Sequence, residues 1–155
     1  MADVARVAQA KLSQSTRNLV PRELRRLERI LQPDEQLLTL AQGRLDDGLG
    51  ILAATDQRLI FLGRQLVIEE RMFRAQGLQL HYAEIATAGK LRPLSGEIEI
   101  RQGRKRTVIS EILPRERALE IAEPAGQQRA AQRSRKRAPA PLRAPVARPA
   151  FGFAE

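Results

Sequence analysis

Between residues 36 and 113 the chain is broken into short apolar runs, each closed by turn-forming residues, and this punctuation constrains the fold more than any other feature. Runs of this kind at roughly 8–12-residue spacing read as strands of a small barrel or sandwich. Residues 36–45 form the first strand, and Asp46-Asp47-Gly48 makes a tight hairpin turn, because Asp and Gly tolerate positive φ. Residues 49–54 form the second strand, Thr55-Asp56-Gln57 turns the chain, and residues 58–62 form a strongly apolar third. A fourth strand is expected over residues 65–71, then a looser region around Gly77, then a fifth over residues 79–86. Glu97-Ile-Glu-Ile-Arg101 alternates with period two, so one face is buried and the other wet. Gln102-Gly103-Arg104 connects it to the last strand, residues 107–113.

Helices flank this β region. Residues 2–31 read as helical, with a break near residues 13–16. In Pro21-Arg-Glu-Leu-Arg-Arg-Leu-Glu-Arg-Ile-Leu31 the residues Leu24, Leu27, Ile30 and Leu31 share one face. Pro21 suits a first helical position and Pro33 stops the run. After Pro114 a short helix is expected over residues 115–123, plugging one end of the barrel, with Pro124 ending it. Beyond Pro124 the composition is Ala, Pro, Arg and Gln with few large apolar residues, for which disorder is the expected state. The chain thus divides into a helical segment (residues 1–32), a β domain (33–123) and a basic tail (124–155).

Composition narrows the function classes. With no Cys there is no disulfide framework, thiol nucleophile or Cys-based zinc site. No run approaches the ~18 apolar residues of a membrane span, and Arg6, Gln9 and Lys11 interrupt what would be a signal sequence. A cytoplasmic protein, peripheral to the membrane at most, is the expectation. The net charge is +9, of which residues 124–155 carry +6, with seven basic side chains and one acidic. The body of the chain is therefore close to neutral.

Gly50-Ile-Leu-Ala-Ala-Thr55-Asp56-Gln57-Arg58-Leu59-Ile60-Phe61 resembles the hallmark of bacterial pleckstrin-homology-like (PH-like) and GRAM-like domains, a Gly-containing strand, a Thr-Asp turn, and Arg-Leu-Ile-Phe on the next strand. Leu31-Gln-Pro-Asp-Glu-Gln-Leu37 is similar to the family's lead-in, and Ile85-Ala-Thr-Ala-Gly-Lys90 to the start of its second sheet. The resemblance covers about residues 31–123 and implies a mainly β fold, a small barrel of two orthogonal antiparallel sheets capped by a C-terminal helix. The fold-motif residues are Gly50, Thr55, Asp56, Arg58, Leu59 and Phe61, with Leu59 and Phe61 expected on one face and Ile60 and Leu62 on the other.

Each candidate for chemistry has a structural alternative. Lipid-binding members of the wider fold use Lys and Arg around the first hairpin, but here Asp46 and Asp47 occupy its tip and would repel a polyphosphate. Asp46, Asp47 and Asp56 sit where tight turns favour Asp, and His81 has no second His to share a metal. The turn carrying Arg101, Arg104, Lys105 and Arg106 is a candidate contact for an anion or acidic partner, or a solvated edge. Arg133, Arg135, Lys136 and Arg137 form the sharpest charge run, suited to weak contact with a membrane surface or nucleic acid. Catalytic constellations and cofactor motifs are not found, so a non-catalytic interaction module binding a protein partner is expected. The alternative is peripheral attachment to anionic membrane or nucleic acid through the tail. Self-association through the amphipathic helix of residues 21–31 is a further option.

Overall fold

The computed structural model describes residues 4–67 and 69–137, with side chains through Gln128. The punctuated region folds as seven antiparallel strands, β1 (Leu37–Leu45), β2 (Gly48–Thr55), β3 (Arg58–Val67), β4 (Met72–His81), β5 (Ala86–Leu91), β6 (Gly96–Gln102) and β7 (Lys105–Leu113). They form one continuous ladder in the order β4-β3-β2-β1-β7-β6-β5. Strand β1 joins the two halves, pairing along its length with β2 and through Gln42, Arg44 and Leu45 with β7.

The strand count agrees with the sequence reading, and the middle boundaries differ. Strand β3 runs on to Val67 and absorbs the start of the expected fourth strand, while β4 occupies the expected looser region. The fifth strand begins at Ala86, where the expected one ends. At the first turn Leu45 pairs with Gly48, and the positive φ (52°) falls on Asp46.

Period two along β2 and β3 sorts side chains onto two faces, and both faces are buried. Leu52, Ala54, Leu59 and Phe61 join Tyr82, Ile98, Ile100 and Ile109 in the inner core. Ile51, Ala53, Ile60 and Leu62 face outward into a second core with Val7, Leu12, Val20 and Leu27. That second core is built by α1 (Val4–Lys11), α2 (Gln14–Leu19) and α3 (Pro21–Ile30). The expected break is the N-cap of α2, where Ser13 Oγ accepts from the Thr16 amide at 3.2 Å. Pro21 begins α3, and Leu27 on its apolar face is fully buried against the sheet. Burying one such leucine contributes about 1.5–3 kcal/mol.

Close backbone approach explains one motif glycine. A Cβ on Gly50 would stand 2.1 Å from the Leu62 carbonyl, so β2 and β3 can pair there only with glycine in place.

The C-terminal helix corrects the sequence reading. The expected element was a short helix ending at Pro124, whereas α4 spans Arg117–Arg137 with Pro124 inside it. Proline has no N–H and forfeits one intrahelical bond. Ala118, Ile121 and Ala125 nevertheless form a single buried stripe in the inner core, and Ala125 lies beyond the proline at 1 % exposure. Tertiary burial thus carries the helix past its breaker. The rest of the tail, residues 138–155, lies outside the described residues.

Candidate interaction surface

The Thr55-Asp56-Gln57-Arg58 turn is densely hydrogen-bonded, and its bonds point inward. Thr55 Oγ1 accepts from the Gln57 and Arg58 amides at 3.1 and 3.0 Å and donates to Glu35 Oε2 at 2.7 Å. Arg58 grips Glu35 with two bonds of 2.8 Å, donates to the Ile30 carbonyl at 2.8 Å and reaches Gln79 Oε1. Asp56 accepts from the Gln36 amide at 2.9 Å. Burial pushes the Glu35 carboxyl up, but the bonds from Arg58, Thr55 and the Gln32 amide outweigh it and hold the group below its ordinary range. The hallmark is therefore a clasp that ties residues 30–36 to the β2–β3 turn. The Tyr82 hydroxyl belongs to the same region, donating to the Thr55 carbonyl at 2.7 Å, and burial raises its pKa out of the working range.

The β1–β2, β3–β4 and β6–β7 hairpins lie together at the other end of the sheet. Leu45 pairs with Ile109 and Leu49 with Arg64, so β3 and the β6–β7 ribbon both extend past the β1–β2 turn. Asp46 and Asp47 form that turn, and Arg44 beside it is ion-paired to Glu111 at 2.8 Å. An approaching phosphate would meet carboxylates there. Asp56 lies at the opposite end of β2, which separates the three aspartates into two places. His81 is exposed at the end of β4.

On the β6–β7 ribbon Arg101 and Arg106 face each other, and both bind Glu99, at 2.9 and 3.0 Å. Lys90 of β5 reaches the same carboxylate at 3.1 Å. Bonds from Arg106, Arg101 and Lys90 hold the Glu99 carboxyl down to about 2. Four of the expected contact residues are thereby divided. Arg101 and Arg106 share a carboxylate, while Arg104 and Lys105 stand exposed at the turn, where Gly103 takes the positive φ (60°). A shallow recess of about 380 Å³ beside them is lined by Tyr82, Glu84, Ile85, Arg101 and Gly103 among others. Arg133, Arg135, Lys136 and Arg137 fall on the last turns of α4, and their side chains lie outside the described residues.

A further surface was missed in the sequence. At the far end of the β3–β4 hairpin Leu66 pairs with Phe73, and both are about half exposed or more (49 and 61 %). Arg64, two residues before Leu66, lies over the Phe73 ring at 5.8 Å and donates to the Leu19 carbonyl at 2.5 Å. Leu19 and Met72 are also half exposed. Between this hairpin and α3 lies a groove of about 170 Å³ lined by Arg22, Glu23, Arg26, Arg64, Phe73 and Ala75. Glu23 is almost fully buried, ion-paired to Arg64 at 2.7 Å, and its second oxygen has no hydrogen-bond partner. The signal available in the sequence was apolar residues on both sides of the polar Glu69-Glu70-Arg71, a hairpin pattern hidden by reading residues 65–71 as one strand.

The family model for a bacterial PH domain matches residues 31–124. No curated protein matches the chain. Among the described residues no helix is long and apolar enough to cross a membrane.

Proposed function

The chain belongs to the bacterial PH domain family, and from that premise we propose that it is a non-catalytic module that binds a protein partner. The observation that carries this reading is the exposed cross-strand pair Leu66 and Phe73 beside the groove of Arg22, Arg26 and Arg64, with exposed Leu19 held to Arg64 through its carbonyl. Aromatic, aliphatic and arginine side chains grouped in one patch have the composition of interface cores. The first hairpin supports the same reading from the other side, since Asp46 and Asp47 at its turn disfavour a polyphosphate ligand. The buried Tyr82 hydroxyl and the Glu35–Arg58 pair are committed to holding the fold, which leaves them without a catalytic task.

In this reading Arg104 and Lys105, and Arg133, Arg135, Lys136 and Arg137 of α4, supply weaker electrostatic contacts that depend on salt. Comparing proteins retained by the full chain and by its Phe73→Ser variant, at low and high salt, tests the proposal. Partners lost with Phe73 at both salt concentrations support it. Retention that depends only on residues 129–155 and vanishes at high salt would instead assign function to electrostatic attachment through the basic C-terminus.

A further inference from the structure

Two strands end the sheet, and a helix packs on the face of one of them. On β5, a Cβ at Gly89 would meet the Ala118 carbonyl of α4 at 2.8 Å, and Thr87 Oγ1 donates to the Ala122 carbonyl at 3.0 Å. Strand β4 has no comparable cover. Residues 72–75, Gly77, Gln79 and His81 are exposed. All ten residues of β4 pair with β3 in unbroken register, from Val67 opposite Met72 to Arg58 opposite His81. The strand has no Pro, no Lys and no bulge, the devices that usually blunt an edge. Alternate N–H and C=O groups of an antiparallel edge point away from the sheet. Among the described residues, one side chain bonds the β4 backbone, Arg26 Nη1 to the Gln76 carbonyl at 3.1 Å.

We infer that β4 is a template for an added strand, and that its occupant is an extended acidic and apolar segment of a partner protein. The inference rests on the protein-binding reading above and specifies its geometry. Backbone pairing would provide affinity, and alternate side chains would provide selectivity. A strand laid beside β4 places every second side chain next to Phe73 and Ala75, over the groove formed with Arg22, Arg26 and Arg64. On the opposite face it meets Met72 and Arg74. Large apolar residues fit Phe73 and Met72, and carboxylates fit the arginines. A second copy of this chain is a poor occupant, because Arg22, Arg26, Arg71 and Arg74 would be brought against their own equivalents.

The test is selection of random peptides displayed against the full-length chain, followed by hydrogen exchange with the enriched peptide. The expected result is acidic sequences interleaved with large apolar residues, and slowed exchange along Met72–His81. Phe73→Ser and Arg22→Glu, both at exposed positions, should each weaken binding about tenfold, the loss of one interface anchor. N-methylation at alternate peptide positions should abolish binding, with the intervening positions tolerant. Basic or purely apolar enriched sequences, no enrichment, or protection confined to other elements would overturn strand addition on β4. Peptide binding elsewhere would leave the protein-binding reading intact. Retention of the chain by vesicles of equal parts phosphatidylcholine and phosphatidylglycerol, lost in Phe73→Ser, would assign this surface to a membrane and overturn both.

Discussion

Arg58 holds the fold from within, because it is buried together with the charge it neutralises. Its side chain is 9 % exposed and that of Glu35 is fully buried. Two charges taken out of water are tolerable only when paired and hydrogen-bonded, and here every polar edge of the pair has a partner. Arg58→Ala should therefore destabilise the chain by about 3–5 kcal/mol in urea unfolding, since it strands a buried carboxylate. Replacing the pair together, Glu35→Leu with Arg58→Met, should recover most of that loss. A single variant losing under about 1 kcal/mol would mean that water reaches Glu35 and that the clasp is an ordinary surface pair. Glu99 makes the contrasting case. It holds three cations, but these are 45–68 % exposed, so the cluster shapes surface charge more than it secures the fold.

At the scale of elements, the helices before the family match are a layer of the fold. The match begins at Leu31, yet Val7, Leu12, Val20 and Leu27 lie upstream and cover Ile51, Ile60 and Leu62. A chain starting at Leu31 should expose that face, with the expected outcome of aggregation or loss of a cooperative thermal transition. Monomeric cooperative unfolding of that shorter chain would show the outer core to be dispensable. At the other end, Pro124→Ala restores a helical N–H and should stabilise the chain by up to about 3 kcal/mol, with increased helical circular dichroism. No gain would mean that the packing of Ala125 already offsets the N–H missing at Pro124. These elements also mark what was legible. The Thr55–Arg58 turn could be read because its side chains act on adjacent backbone. Alternation in Glu97–Arg101 could be read because Ile98 and Ile100 are buried on one side. Strand β4 was illegible because most of it is exposed on both faces, so no burial imposes a period. The course of α4 past Pro124 was hidden because it depends on Ala125 meeting strands distant in sequence. The Phe73 groove needs α3 brought over the β3–β4 hairpin, a juxtaposition without local trace.

Over the whole molecule these local pairings sum to a defined response to acid. Glu35, Glu99, Glu116 and Glu120 are each held below the ordinary carboxylate range in the folded chain. Hydrogen bonds from Arg58 and Thr55 prevail over burial at Glu35, and bonds from Lys11 and Arg117 prevail over it at Glu120. A carboxyl with a depressed folded pKa binds protons more readily when the chain is unfolded. Its contribution to stability is complete above the unfolded value near 4.3 and is lost as pH falls through the folded value. For Glu99 that window extends down to about 2. The urea midpoint should therefore stay flat from neutral pH down to about 5 and fall progressively below it, with unfolding accompanied by proton uptake. Glu35→Gln should shallow the fall by removing one titrating group, at the expense of stability near neutral pH. The +9 net charge steepens the same trend, because protonating carboxylates leaves the basic groups unopposed. A midpoint that rises on acidification would require a buried group with its pKa raised in the folded state, and would place the dominant electrostatics outside the Glu35 clasp and the Glu120 cluster.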